Sequence, residues 1–284
     1  MSRVAYVNGR YVPFADAKVH VEDRGYQFAD GVYEVCEVRD GRLVDERRHV
    51  ERLQRSLAEL RLRMPMSKAA LSVVLREVVA RNRIGYGIVY LQVTRGVARR
   101  DHAFPPAHVT PSVVVTARTL NKARNEALAA SGIAVITVPD NRWSRVDIKT
   151  IGLLPNVLAR QSAIEQGARD AWFVRDGFVT EAASANAWIV NGAGEVVTRH
   201  ADQAILRGIT RTVVFDVIKA HGLAIAERPF TLNEAYEARE AFITAASQVV
   251  LSVVRIDGRT IGDGKPGPIA TSLRREFHRY AETG

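Results

Sequence analysis

The chain opens with apolar and polar residues in alternation, the two-residue period of a half-buried strand. VAYVNGRYV is two such runs joined by Asn8-Gly9, and GVYEVCEVRDGRLV repeats the device around Asp40-Gly41. Asn-Gly and Asp-Gly accept the positive φ of a primed turn, so both stretches predict hairpins. The period then changes. Val50, Leu53, Leu57 and Leu60 recur at helical spacing, and a second helix is predicted after Ser67, a suitable N-cap, through Leu71, Val74, Leu75, Val78 and Val79. GIVYLQVTRG and PSVVVTAR read as strands that complete an α+β unit over residues 1–118.

TLNKARNEALAASG is polar and rich in small residues, which predicts a linker over 119–131. Beyond it, over 132–284, the pattern is again mixed. GIAVITVP reads as a strand, Asn156 to Gln166 as a helix, and AWFVRDG, NAWIV and EVVT as strands. A helix is predicted from Thr210 to Ala220, and Thr231 with Glu234 forms a capping-box pattern before another short one. EAFITAA and VLSVVRIDG read as strands, and a helix near Ile269 to Tyr280 follows. Neither unit alternates strand and helix strictly, which argues against a doubly wound sheet and for two α+β domains.

Composition narrows the picture. The 284 residues allow one large domain or two of ordinary size, and 47% hydrophobic with 25% charged residues calls for a substantial core rather than disorder. No apolar stretch is long enough to span a bilayer, and the first residues lack a secretory hydrophobic segment. Cys36 is the one cysteine, so no disulfide within the chain is expected and a reduced, cytoplasmic setting is the simple reading. The net charge of +9 raises nucleic acid as a partner, but the arginines are scattered and mostly interrupted by acidic residues, so an ordinary basic surface is expected instead. GxxxxGK[ST] and GxSxG are absent, as is any clustered His/Cys spacing for a metal.

Several residues are candidates for chemistry, each with a plainer reading beside it. Lys149 stands in RVDIKTIGLLPNVL, beside an apolar run expected to pack and hold its turn. A lysine kept away from water suits a Schiff-base nucleophile; the alternative is a side chain reaching to solvent from an element's end. Glu181 is followed by Ala182, Ala183, Ser184 and Ala185, small residues that let a flat ligand approach the backbone. A carboxylate there suits the ring nitrogen of a pyridine cofactor, or simply ends a strand. Thr210, after Arg207, Gly208 and Ile209, suits an N-cap, and the first amides of its helix are a seat for phosphate or merely a capped terminus. Arg52, one position before Leu53, is a phosphate fork or a solvated helix face. Arg100 and His102, two apart in a segment read as extended, form a carboxylate trap or a basic loop. Tyr33 lines a pocket or packs as an aromatic. Together these are the parts of a pyridoxal-phosphate enzyme acting on amino acids.

EDRGYQFADGVYEV, YLQVTRG, DIKTIGLLPNVLARQ, VTEAASAN and ILRGITR resemble the fold-type IV pyridoxal-phosphate aminotransferases, most nearly those acting on D-amino acids such as D-alanine. The resemblance runs from about Tyr6 to Phe277. It implies a two-domain fold with pyridoxal 5'-phosphate at the domain interface, the lysine being carried by the second domain. It also implies transamination between a D-amino acid and a 2-oxo acid such as 2-oxoglutarate, and a homodimer in which a loop of one subunit helps close the other's site. By the same resemblance Lys149 bonds the cofactor and shuttles the proton, and Glu181 meets the ring nitrogen. Arg52, Ile209, Thr210 and Ala246 fall at phosphate positions, Leu206 supports the ring, and Tyr33, Arg100 and His102 receive the substrate carboxylate. Two positions depart from the pattern. Ala245 and Ala246 replace hydroxyl donors, a loss of roughly 1.5–3 kcal/mol for a charge-assisted hydrogen bond that Ser247 partly compensates. Glu37 stands where a basic residue is usual, which disfavours a second carboxylate on the substrate. An L-branched-chain aminotransferase and an aminodeoxychorismate lyase stay open as alternatives.

Overall fold

A computed structural model describes residues 3–283, which pack as two compact units. The first takes in residues 3–121, Ile148–Gly152 and 282–283. Its elements are β1 (Val4–Val7), β2 (Arg10–Pro13), α1 (Arg24–Phe28), β3 (Gly31–Arg39), β4 (Arg42–Leu43), α2 (Glu46–Glu59), α3 (Lys68–Arg81), β5 (Tyr86–Thr94) and β6 (Ser112–Thr119). The strands form an antiparallel sheet in the order β2-β1-β6-β5-β3-β4. Two predicted turns appear as primed turns: Asn8 and Gly9 have φ of 45° and 93°, Asp40 and Gly41 of 50° and 77°. Ser67 caps α3, its hydroxyl accepting from the Ala70 amide.

α2 and α3 bury Val50, Leu53 and Leu57, and Leu71, Val78 and Val79, in one core with Val32, Val93 and Val115 of the sheet. On β3 the core face reads Val32, Glu34, Cys36, Val38, so a carboxylate occupies a position in an otherwise apolar row. On α2 a second buried stripe, His49 and Ser56 with the mostly buried Arg52, runs beside the apolar one.

The second unit takes in Lys122–Asp147 and Leu153–Ala281. Its elements are α4 (Lys122–Ser131), β7 (Ile133–Pro139), α5 (Leu154–Glu165), β8 (Asp170–Arg175), β9 (Phe178–Ala182), β10 (Asn186–Val190), β11 (Val196–Thr198), α6 (Ile209–Ala220), β12 (Ile225–Glu227), β13 (Phe230–Thr231), α7 (Leu232–Tyr236), β14 (Glu240–Ala245), β15 (Val249–Ile256), β16 (Arg259–Thr260) and α8 (Pro268–Tyr280). The sheet is mixed, in the order β12-β11-β10-β14-β15-β7-β8-β9-β13, with β16 on β15. Trp172 and Trp188 are fully buried in it, Trp188 stacking on Phe242 at 5.5 Å. The capping box is present: Thr231 and Glu234 each accept the other's backbone N–H before α7.

Two boundaries differ from expectation. The stretch read as a linker over 119–131 begins with the last residue of β6 and is then the helix α4, which packs on β15 with Leu128 and Ala129 against the core. Its sequence hides this because none of its residues is fully buried and its apolar stripe is weak. The lysine expected in a domain over 132–284 belongs with the first unit, because Ile148–Gly152 pair with β3. Among the described residues no helix is long and apolar enough to cross a membrane.

Leu53 is fully buried between α2 and the sheet. Leu53→Ala should cost roughly 2–5 kcal/mol of stability, measured by denaturant unfolding; a loss under about 1 kcal/mol would mean that α2 is not anchored by this face.

Candidate functional site

Lys149 is held by its backbone. The Tyr33 amide donates to the Lys149 carbonyl at 3.0 Å, the Ile151 amide to the Gly31 carbonyl at 3.1 Å, and Val32 bridges Thr150. This is a short antiparallel pairing on the first residues of β3, which β4 does not reach. The Lys149 amide donates to Ser56 Oγ at 3.4 Å, a lengthened bond to the second stripe of α2. The apolar side chain that anchors the segment is Ile148, 4% exposed; the run expected to do so does not, since Leu154 is 68% exposed. Lys149 is half-buried, with Nζ 4.3 Å from the centroid of the Tyr33 ring. Tyr33 in turn stacks on Tyr90, centroids 5.6 Å apart. The sequence placed Lys149 and Tyr33 as separate candidates; the pairing brings them together.

Arg52 is not a solvated face. Its Nε and one terminal nitrogen each donate to Glu34 at 2.8 Å, a two-pronged ion pair with both side chains buried. His49 Nδ1 lies 2.7 Å from Glu34 Oε2. Burial alone would raise the Glu34 carboxyl, but the charge and hydrogen bonds of Arg52, then His49, outweigh it and hold it well below the usual carboxylate range. Burial pushes the His49 imidazole down, against the pull of Glu34. His49 is therefore neutral and donates from Nδ1. Sequence reasoning passed over Glu34 and His49; the signal was a carboxylate in the apolar row Val32–Cys36–Val38, and a histidine three residues before Arg52 on α2.

Arg100 and His102 lie in bends, not an extended segment, and both are exposed. They meet at Phe28: the Arg100 guanidinium is 4.9 Å and the His102 ring 5.4 Å from its centroid. The bend is pinned between them, Arg24 Nη1 donating to the Asp101 carbonyl at 2.5 Å while Arg24 Nε and Arg95 both hold Asp30. Among the described residues no hydrogen bond or ring contact joins either to Tyr33. Glu37 is buried on the opposite face of β3 from Glu34.

In the second unit, Glu181 is buried at the end of β9 and its oxygens are well supplied. Arg142 Nη1 donates to Oε1 at 2.6 Å; Asn186 Nδ2 at 3.0 Å and the Leu206 amide at 3.2 Å donate to Oε2. Arg142 is itself held by Asp140 and by Thr180. Neither Arg142 nor Asn186 was legible as a partner, because both join Glu181 only through the sheet. Asn186 Nδ2 also donates to the Leu206 carbonyl at 2.8 Å, so one side chain ties Glu181 to the chain that leads into α6.

Thr210 was expected to cap that helix; the cap is Gly208, and Ile209 and Thr210 form the first turn, both buried. Glycine is required there because a Cβ would overlap Asn186 Oδ1. Gly208 brings no side-chain cap to α6, whose first amides form an end of the kind that receives an anion. Thr244 pairs with Asn186, which brings the β14–β15 turn, with Ala245 and Ala246, to the same end of the sheet. That turn is strained: Val249, β-branched and buried, has φ of 60°, at a cost of order 1–3 kcal/mol. The donor set of this unit, a buried carboxylate beside an open helix N-terminus and a tight backbone turn, matches the ring nitrogen and phosphate of a pyridine phosphate. Among the described residues no group of three or more His, Cys, Asp or Glu side chains suits a metal ion.

A family model described as amino-transferase class IV matches residues 31–256. The chain is 43% identical over 272 residues to a D-alanine aminotransferase of Listeria innocua serovar 6a, covering 95% of this chain and 93% of that one. It is 37% identical over 278 residues to a D-alanine aminotransferase of Staphylococcus haemolyticus, covering 98% of each. Among solved structures, a branched-chain amino acid aminotransferase of Escherichia coli superposes with a TM-score of 0.86 at 23% identity, covering 98% of this chain and 94% of that one. A hypothetical aminotransferase of Mycobacterium tuberculosis in its PLP-bound form superposes with a TM-score of 0.82 at 23% identity, covering 96% of this chain and 98% of that one.

The electrostatics of the Glu34–His49 pair carry a pH signature. The lowered imidazole means that the folded state favours neutral His49. Its contribution is present above the ordinary value of 6.5 and is lost as the pH falls below it. Glu34, also lowered, adds a loss at lower pH, below its ordinary 4.5. Thermal melting between about pH 7.5 and about pH 5.5 should therefore fall more in the wild type than in His49→Gln. An equal fall in both would show that His49 is not the neutral donor.

Proposed function

We propose, because the chain belongs to the class IV aminotransferase family, that it exchanges the amino group of a D-amino acid, D-alanine above all, with a 2-oxo acid such as 2-oxoglutarate. The near-full-length likeness to D-alanine aminotransferases carries this reading. The likeness in fold to a branched-chain enzyme reflects a shared scaffold, and fold alone does not set the substrate.

The cofactor is pyridoxal 5'-phosphate, which when bound supplies an electron sink for the pair left by the departing α-proton. Lys149 Nζ would hold it covalently until the substrate's amino group takes its place; the freed amine, as general base and then acid, would take the proton from the substrate α-carbon and pass one to the cofactor carbon that had carried Nζ. Backbone pairing on β3 supports this role, since a proton carrier must be held within near-contact distance of its target. Glu181, whose plane Arg142, Asn186 and the Leu206 amide fix, would accept from the ring nitrogen. The amides of Ile209 and Thr210, Arg52 and the backbone at Ala246 would hold the phosphate, and Leu206 would support the ring face. The uncapped start of α6 supports the first of these.

Tyr33, Arg100 and His102 receive the substrate carboxylate, Arg100 and His102 reaching the site of a second copy in a homodimer. The exposure of Arg100 and His102 supports that arrangement. So do Val21, 71% exposed, and Tyr26, 76% exposed, on either side of Arg24, which holds the Asp101 carbonyl. A cytoplasmic setting suits the single cysteine, buried as Cys36. Glu37 disfavours D-aspartate and D-glutamate as donors relative to D-alanine.

With 2-oxoglutarate as acceptor, D-alanine should support turnover and L-leucine should not, by a coupled assay of the oxo acid released; turnover with L-leucine alone would leave the family standing and defeat the D-specific reading. Lys149→Ala should lower turnover about 10²-fold or more, as expected for removal of a general acid–base group, and abolish the absorbance that the cofactor gains by bonding covalently to Lys149. Parental turnover in that variant would remove Lys149 from the reaction.

A further inference from the structure

We infer that Glu34 and His49 are positioning residues that orient Arg52 for the cofactor's phosphate. The inference rests on the proposed assignment of Arg52 and adds two residues that never touch the ligand. A buried ion pair is a poor way to make a protein stable, because desolvating both charges costs about what their attraction returns, and apolar replacements are often as stable. Here the pair sits in an apolar setting: Cys36, Val50, Leu75, Val89 and Leu91 line the space beside Glu34 and His49. Glu34 also breaks the apolar face of β3, which Val32, Cys36 and Val38 continue on either side. The packing alone is better served by a valine.

The geometry explains what the carboxylate does. A guanidinium is planar, and two bonds in its plane fix both its direction and its rotation. Glu34 engages Nε through Oε1 and a terminal nitrogen through Oε2, each at 2.8 Å, so the long and otherwise mobile Arg52 side chain is left one orientation. Glu34 is held in turn: it is anchored on β3, and His49 Nδ1 reaches Oε2 at 2.7 Å from one turn earlier on the same helix as Arg52. The clamp therefore joins strand and helix. The next turn of that helix presents Ser56, whose hydroxyl accepts the Lys149 amide. The stripe His49, Arg52, Ser56 thus sets the placement of Arg52 and of the lysine backbone from one rigid face.

The test compares two ligands that differ only in the phosphate. Protein stripped of cofactor is titrated with pyridoxal 5'-phosphate and with pyridoxal, following absorbance, and the ratio of the two dissociation constants is taken. Glu34→Gln, which keeps size and replaces the carboxylate by an amide, should lower that preference for phosphate by about tenfold or more while leaving pyridoxal binding within about twofold. A merely structural role would weaken both ligands alike and leave the ratio unchanged, and that result would overturn the inference. If Glu34→Gln does not fold, His49→Gln serves: it loosens the clamp at its far end and should lower the ratio about threefold, and an unchanged ratio overturns the inference again. Arg52→Gln separates the two readings. A ratio that falls in Arg52→Gln but not in the Glu34 or His49 variants defeats the positioning role alone. A ratio unmoved in Arg52→Gln defeats the assignment of Arg52 to the phosphate.

Discussion

The pairing of Lys149–Ile151 with the first residues of β3 is the constraint on which the role proposed for Lys149 depends. A primary amine on a four-carbon stem is a poor catalyst if its root moves. Here the root is a strand backbone bonded on one side to β3 and on the other to a helix hydroxyl. The same β3 residues serve twice. Tyr33 donates its amide to the Lys149 carbonyl and offers its ring to the ammonium, while its neighbour Glu34 points to the other face and clamps Arg52. Alternation along one strand thus separates two tasks by one residue.

The second unit solves a parallel problem with a different device. Its carboxylate, Glu181, is placed by a network rather than by a ladder. Arg142, Asn186 and the Leu206 amide together fix the carboxylate plane, and Asn186 couples it to the approach of α6 through the glycine that its amide oxygen requires. The strained Val249 beside the Ala245–Ala246 turn belongs to this end of the sheet, where β14 pairs with β10. Strain of that kind persists only where surrounding packing over-determines it, and here the buried sheet strands on both sides do so.

Local chemistry was legible in the sequence wherever one or two residues decide a conformation. Asn8-Gly9 and Asp40-Gly41 predicted their turns, Ser67 its cap, and Thr231 with Glu234 its capping box, because each acts through bonds to its own neighbours. Asp176-Gly177 and Asp257-Gly258 repeat the primed-turn pattern in the second unit, with φ of 53° and 79° and of 49° and 78°. The helix α4 was not legible, since its weak apolar stripe makes sense only against the strand it covers.

The sequence by itself determined the two mixed α and β units, their turns and caps, and the identity of the residues that stand out chemically. Only the tertiary structure decided their partners. It gave Lys149 to the first unit, paired Arg52 with Glu34 and His49, surrounded Glu181 with Arg142 and Asn186, and left Gly208 rather than Thr210 at the head of α6. Gly208 is set by the close approach of Asn186 Oδ1, and the physical reason is common to the first three. A turn or a cap is settled by bonds a few residues long, whereas a buried charge is settled by whichever distant group the fold brings within about 3 Å, and spacing along the chain does not encode that meeting.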